Sequence, residues 1–403
     1  MAEDTGPGRT NAVTDDTIPG YVAALKAFLG AERIERAQQL LDEELRHHGL
    51  ARRYLLMDRR PWQFVLRDYD NATRNGQLVL PSYPVEFQLL AGDGLKLSTL
   101  AQFMPQATRD KYAQDLLLDT HLDFMHELRV AWQYYLLGFD LAWYPPGQER
   151  GPEFRVIGQG LDFNVECRRF WSDYIDRVKS PAVADTCDAL YALFETRSLW
   201  GEVELEIQPG FRFDVASRKP WHRALRAALE AGARELQLND ALTVRWEFRA
   251  EQSPEVSQAE LARSVVPQPK HQWNVLYSKR RGEVAFEPIV FRCRGPKRTP
   301  NAFRDDLYAV LRDKVHLQLP GDRAGVLSVQ FEGISDPRVF VEAEGVQAIV
   351  GRLFQQAHLA AVILRCDDTL EVTADAIISA APAVVFRNPN TAFPAVSALR
   401  HLG

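Results

Sequence analysis

The sequence predicts a mixed α/β (α+β) fold, and three observations carry that expectation. Helical and strand patterns alternate along residues 124–207 in the order helix, strand, strand, strand, helix, strand. Residues 301–403 resume the alternation with strands that are almost entirely apolar, as central strands covered on both faces are. With 46% hydrophobic and 10% aromatic residues the chain can build cores, which excludes a disordered, collagenous or low-complexity protein.

Taken in order, residues 1–20 are read as a disordered tail. Their acidic, Gly and Pro residues stand where a secretion signal would carry a basic start and an apolar run. From Tyr21 to about His48 the residues Val22, Leu25, Phe28, Ile34, Ala37, Leu40, Leu41 and Leu45 recur at three- and four-residue steps, broken near Gly30. Two amphipathic helices follow, their stripe being core or the contact of a homo-oligomer. Residues 54–98 read as strands and turns, with WQFVL and QLVL set among Asn75-Gly76, Pro81, Pro84 and Gly92. Helical spacing returns over 107–137. Next come the strands 139–144, 152–157 and 161–170, a helix reaching about Trp200, and the half-wet strand 201–207. A helix over 220–236, a strand over 241–249 and a hairpin over 270–298 precede the final helices (302–315, 344–357) and strands (326–331, 360–366, 383–388). The chain thus divides into a tail (1–20), a helical or mixed region (21–110), a core (111–215), a helix with a basic hairpin (216–300) and an α/β portion (301–403) that can complete the core sheet. No repeat of solenoid or propeller period is present.

The 48 basic and 54 acidic residues leave a net charge of −6, which argues against a nucleic-acid binder driven by total charge. Residues 270–298 run the other way. Lys270, Lys279, Arg280, Arg281, Arg292, Arg294, Lys297 and Arg298 face only Glu283 and Glu287, with Trp273, Tyr277 and Phe291 interleaved. Cations with aromatics hold a nucleic-acid strand, and a charge run is equally a solvated face. The cysteines Cys167, Cys187, Cys293 and Cys366 are isolated, as reduced thiols of a cytoplasmic protein are. Residues 376–386 are too short, and interrupted by Pro382, for a membrane span, so no membrane partner is expected.

Phosphate-loop, dinucleotide-binding and serine-hydrolase motifs are missing. His126-Glu127 begins like a zinc-protease helix, but Val130 stands where the second histidine belongs. What remains is an ordered set of acids: Glu127 on a helix, Glu153 after Pro152 at a strand head, and Glu166 inside the next strand. Asp162, Asn164 and Arg168 share the strand face of Glu166, because strand side chains repeat every two residues. Two acids where two strands meet suit Mg²⁺, which takes oxygen ligands and keeps several waters. A cation beside them suits the charge that gathers on phosphate oxygens during in-line displacement. Taken alone, Glu166-x-Arg168 is equally a surface ion pair.

The run HELRVAWQYYLLGFDLAWYPPGQERGPEFRVIGQGLDFNVECRRF (126–170) resembles the PD-(D/E)xK nucleases, the restriction-endonuclease-like superfamily, in which a helix-borne Glu precedes a strand pair carrying Pro-Asp and then Glu-x-Lys. The matching residues are Glu127, Pro152-Glu153 and Glu166-Cys167-Arg168. The pattern is similar to that of a divergent bacterial branch with G-P-D-F…V-E-C-K-R and a C-terminal N-P-N segment, here Asn388-Pro389-Asn390. The resemblance implies a restriction-endonuclease-like core over 111–215 and an endonuclease that hydrolyses DNA with Mg²⁺ or Mn²⁺. Glu153 and Glu166 would then ligate the metal, Glu127 would position metal or water, and Arg168 would stabilise developing charge. DNA is favoured over RNA.

Two departures open an alternative. Glu153 stands for Asp and moves the carboxylate out by one methylene, about 1.5 Å. Arg168 stands for Lys, and a guanidinium does not readily take a proton from water. Together they allow a catalytically inactive nuclease-fold protein that binds nucleic acid or serves as a scaffold.

Overall fold

A computed structural model describes residues 13–400 except 75–82, 147–150, 171–179, 198, 209–210, 249–255, 258–272, 282–284, 296–299, 333, 335, 343, 368, 373–376 and 381. The protein is mixed α/β, with two mixed sheets flanked by helices. It divides into two units: Met1–Leu41 with Arg59–Ser172 and Thr299–Gly403, and Asp42–Asp58 with Asp173–Arg298. The segment 111–215 is therefore split after Ser172, and the C-terminal strands join its first half.

Helices α1 (Ile18–Leu29) and α2 (Ala31–His47) follow the apolar spacing, with Ile18, Val22, Leu25 and Leu29 buried along one side of α1. Residues 54–98 differ from expectation. Their described residues form the greater part of α3 (Leu50–Arg59), then α4 (Pro61–Arg74) and α5 (Val85–Leu100), while QLVL at 77–80 lies outside the described residues. Of the residues read as breakers, Pro84 immediately precedes α5, where a missing N–H leaves no helical bond unmade, and Gly92 lies inside it; Pro61 likewise begins α4. Gly94 lies inside α5 because a Cβ there would run into the Tyr21 carbonyl oxygen of α1. Asn75-Gly76 and Pro81 lie outside the described residues.

After α6 (Gln106–Asp115) and α7 (His121–Leu136), strands β1 (Asp140–Trp143), β2 (Phe154–Gly158) and β3 (Leu161–Phe170) form an antiparallel meander. Ten of the sixteen residues of α7 are buried, so this helix lies within the core. Its Tyr134 meets Phe154 and Phe163 edge to face, which fixes the sheet face that α7 covers.

The second unit contains α8 (Ser180–Thr196), β4 (Gly201–Ile207), α9 (Arg218–Glu230), β5 (Glu235–Asn239), β6 (Leu242–Phe248), β7 (Val256–Ser257), β8 (Trp273–Arg281) and β9 (Ala285–Arg294). The expected basic hairpin is the antiparallel pair β8–β9, and β9 runs parallel to β4 in the sheet order β5-β6-β4-β9. Its core includes Val183, Leu190, Phe194, Val203, Leu205, Trp221, Tyr277 and Phe291.

The chain then returns to the first unit through α10 (Pro300–Gln318), β10 (Ala324–Phe331), α11 (Arg338–Glu342), α12 (Glu344–Leu353), β11 (Leu359–Arg365), the hairpin β12 (Thr369–Val372) and β13 (Ile377–Ala380), β14 (Ala383–Arg387) and α13 (Pro394–Ser397). Here β10, β11 and β14 lie in one sheet with β1–β3, in the order β1-β2-β3-β10-β11-β14. Strands β10 and β11 are parallel to β3 or to each other and buried at every residue, which accounts for their apolar composition. Among the described residues no helix is long and apolar enough to cross a membrane.

Candidate active site

Strand β3 alternates as its sequence requires. Phe163, Val165 and Cys167 belong to the core, while Asn164 and Glu166 point to the opposite face and are buried there at 0% exposure. Such burial of a carboxylate calls for a partner. Helix α10 supplies one: Lys314 Nζ lies 2.7 Å from Glu166 Oε1. Oε2 of Glu166 has no hydrogen-bond partner among the described residues.

Glu153 precedes β2. The register Phe154↔Val165 puts it opposite Glu166, and its backbone N–H donates to the Val165 carbonyl at 3.1 Å. Glu153 thus stands at the head of β2, next to the stretch of β3 that carries Glu166. Glu127, on α7, completes the set: the Tyr112 hydroxyl donates to its Oε2, and Trp143 Nε1 donates to the Tyr112 oxygen at 3.1 Å. These contacts hold Glu127 in one orientation.

The electrostatics show that the three acids share one neighbourhood. Burial, then the charge of Glu153, pushes Glu166 up to about 8 against the pull of Lys314 and Arg168. Burial and Glu153 hold Glu127 well above the ordinary carboxylate range, opposed by the Tyr112 hydrogen bond. Glu153 is raised by burial while Lys314 and Lys111 pull it down. The Cys167 thiol is pushed up by burial and by all three carboxylates in turn.

Arg168 shares the strand face of Glu166 but is exposed, its guanidinium carbon 5.7 Å from the centre of the Phe170 ring. Asp162 is bound by Arg155 through both carboxylate oxygens and also accepts from Arg323 at 3.3 Å. It therefore ties β3 to β2 and to the start of β10. His126 is buried and uncharged, its pKa lowered to about 3 by burial and then by Arg365, with Nε2 3.3 Å from the Ser328 carbonyl.

Lys314 was not read from the sequence, although a signal exists. Leu307, Leu311 and Val315 form the buried stripe of α10 at four-residue spacing, and Lys314 lies on its flank, a long cation beside an inward face. Nothing local in the sequence says which strand that face covers.

In the basic hairpin the described side chains are already engaged. Arg292 is buried and forked onto Glu202 at 3.2 and 3.3 Å, and Arg294 pairs with Glu204 at 2.7 Å, both acids lying on the adjoining β4. Of the aromatics, Tyr277 and Phe291 are core residues, with Tyr277 donating to Asp188. Trp273, Lys279, Arg280 and Arg281 lie on β8, where the strand but not these side chains is described, and Lys270, Lys297 and Arg298 lie outside the described residues.

No protein-family model matches the chain. No curated protein matches it either.

Among the described residues no three His, Cys, Asp or Glu side chains stand together so as to hold a metal ion. The residues present do fit a cation that needs few protein ligands. Mg²⁺ is commonly held by one or two carboxylates, waters and substrate phosphates, which matches the buried, unpartnered Oε2 of Glu166 with Glu153 nearby as a second carboxylate.

Proposed function

We propose that this chain is a divalent-metal-dependent endonuclease that hydrolyses DNA phosphodiester bonds at Glu127, Glu153, Glu166, Arg168 and Lys314, on a restriction-endonuclease-like core. The observation that carries the reading is the buried Glu166 with the Lys314 ammonium 2.7 Å away and Glu153, at the head of the adjoining strand, among the charges that act on it. The strand order β1-β2-β3 after α7, with parallel strands beyond, supports the core assignment.

Glu153 and Glu166 would hold Mg²⁺ or Mn²⁺, which when bound supplies Lewis acidity and lowers the pKa of its water. Lys314 answers the loss of lysine at position 168. Its ammonium, beside Glu166, would donate to the attacking water and orient it. Arg168, exposed at the same strand face, meets the charge that grows on the phosphate oxygens. Glu127, its pKa raised by burial and by Glu153 and its carboxyl fixed by the Tyr112 hydroxyl, would position metal or water at the cluster.

A second reading, an inactive fold retained for binding or scaffolding, is favoured by the Lys314–Glu166 ion pair, which already gives Glu166 a countercharge. The two are separated by a cleavage assay on single- and double-stranded DNA and RNA across Mg²⁺ and Mn²⁺ concentrations. Metal-dependent nicking supports the endonuclease; binding without cleavage under every condition supports the second reading.

A further inference from the structure

Asn164 is two residues from Glu166 on the same strand face, about 7 Å along β3. It is 0% exposed. The Tyr144 hydroxyl donates to its Oδ1 at 2.8 Å, which fixes the amide plane and turns Nδ2 the other way. Nδ2 has no hydrogen-bond partner among the described residues. Its neighbours across the ladders do not claim it: on β10 the registered residue is Gly325, and on β2 it is Arg155, whose guanidinium is taken by Asp162. A buried amide donor left unmade opposes folding, whereas an apolar side chain of similar shape would be neutral there. The amide is therefore held ready for an acceptor that the folded chain does not provide.

We propose that Asn164 is a substrate-binding residue whose Nδ2 donates to a non-bridging oxygen of the phosphodiester strand at the carboxylate cluster, and that Tyr144 is its positioning residue. This rests on the endonuclease reading. Phosphate oxygens are common acceptors for Asn, and such contacts set the register of a nucleic-acid strand without reading its bases. The strand is held by Asn164 on one side of Glu166 and by Arg168 on the other, so the scissile group is centred on the acids.

The test compares wild type, Asn164→Ala and Tyr144→Phe in Mn²⁺-supported cleavage of a fluorescein-labelled DNA oligonucleotide, with Mn²⁺ affinity measured separately by electron paramagnetic resonance. Loss of one hydrogen bond to substrate predicts a KM raised about five- to tenfold in Asn164→Ala, with kcat and Mn²⁺ affinity within about twofold of wild type. Tyr144→Phe keeps the amide but frees it, so its KM rises about threefold at unchanged kcat. An unchanged KM in Asn164→Ala overturns the role of Asn164 while wild-type cleavage still stands for the endonuclease. A wild type that neither cleaves nor binds overturns both. Should Asn164→Ala fail to fold, Tyr144→Phe decides: an unchanged KM there overturns the proposal.

Discussion

Lys314 and Glu166 lie 148 positions apart in the chain yet form an ion pair of 2.7 Å, with the carboxylate wholly buried and the ammonium partly exposed. The pair joins a helix of the C-terminal portion to a strand of the motif-bearing segment. It gives Glu166 a lysine partner that its own strand, with Arg168 two residues on, does not supply.

Lys314→Met removes the countercharge from Glu166 and the group that handles water, so single-turnover cleavage falls by about a hundredfold or more. Lys314→Arg keeps the charge and replaces the compact ammonium by a planar guanidinium that positions water differently, so it is expected to fold with near-native stability and cleave no better than Lys314→Met. Full activity in Lys314→Arg would show that charge alone suffices.

The buried acids and His126 give stability opposing pH slopes. Glu166 titrates at about 8 in the folded protein against an ordinary value of 4.5, so the folded state keeps a proton that the unfolded state releases, and stability falls as pH rises through that window. His126 titrates at about 3 against 6.5, so its contribution is lost as pH drops from 6.5 toward 3. Urea unfolding of metal-free protein at a series of pH values checks both. Glu166→Gln should flatten the alkaline slope and leave the acid one; an alkaline slope unchanged by that substitution would place the effect elsewhere.

The hairpin separates structural from available cations. Arg292→Ala breaks a buried fork to Glu202 and should destabilise by about 2 kcal/mol while leaving DNA affinity nearly unchanged. Neutralising Arg280 and Arg281 together should weaken any salt-sensitive DNA binding and shallow its salt dependence. Fluorescence anisotropy over a range of NaCl concentrations reads this difference, and loss of binding in Arg292→Ala with intact folding would reverse it.

Gly49 leaves room for a cap borrowed from another helix. Asp188 on α8 accepts from the backbone N–H groups of Ala51 at 2.9 Å and Arg52 at 3.1 Å, and from the Tyr277 hydroxyl at 2.6 Å. A Cβ on Gly49 would run into the Asp188 carboxyl. Gly49→Ala should therefore cost about 1–2 kcal/mol, the worth of a helix cap, in thermal or urea unfolding. No change would mean that Asp188 shifts without losing the N–H groups.

Much of the fold was legible because its signals are local. The strand LDFNVECRRF coincides with β3, GEVELEI with β4, and the apolar runs near the C-terminus with β10 and β11. The helices over 54–98 were not, because Pro84 and Gly92 are read as breakers and nothing local says that the first precedes a helix and the second lies inside it. Glu127, Glu153 and Glu166 were visible as a sequence pattern, and their shared neighbourhood follows from the strand register. Lys314 and the burial of Arg292 depend on which helix covers which sheet face and which acids flank a strand, and those are tertiary facts with no local signature.

The central claim is that Glu166 carries metal-dependent phosphodiester hydrolysis. It is tested most directly by single-turnover cleavage of labelled DNA in Mn²⁺ by wild type and Glu166→Ala, with circular dichroism confirming that both are folded. Cleavage by wild type that is abolished by metal chelation and by Glu166→Ala is the predicted result. Cleavage by Glu166→Ala at the wild-type rate would contradict it, as would a wild type inert on every nucleic acid and metal tried.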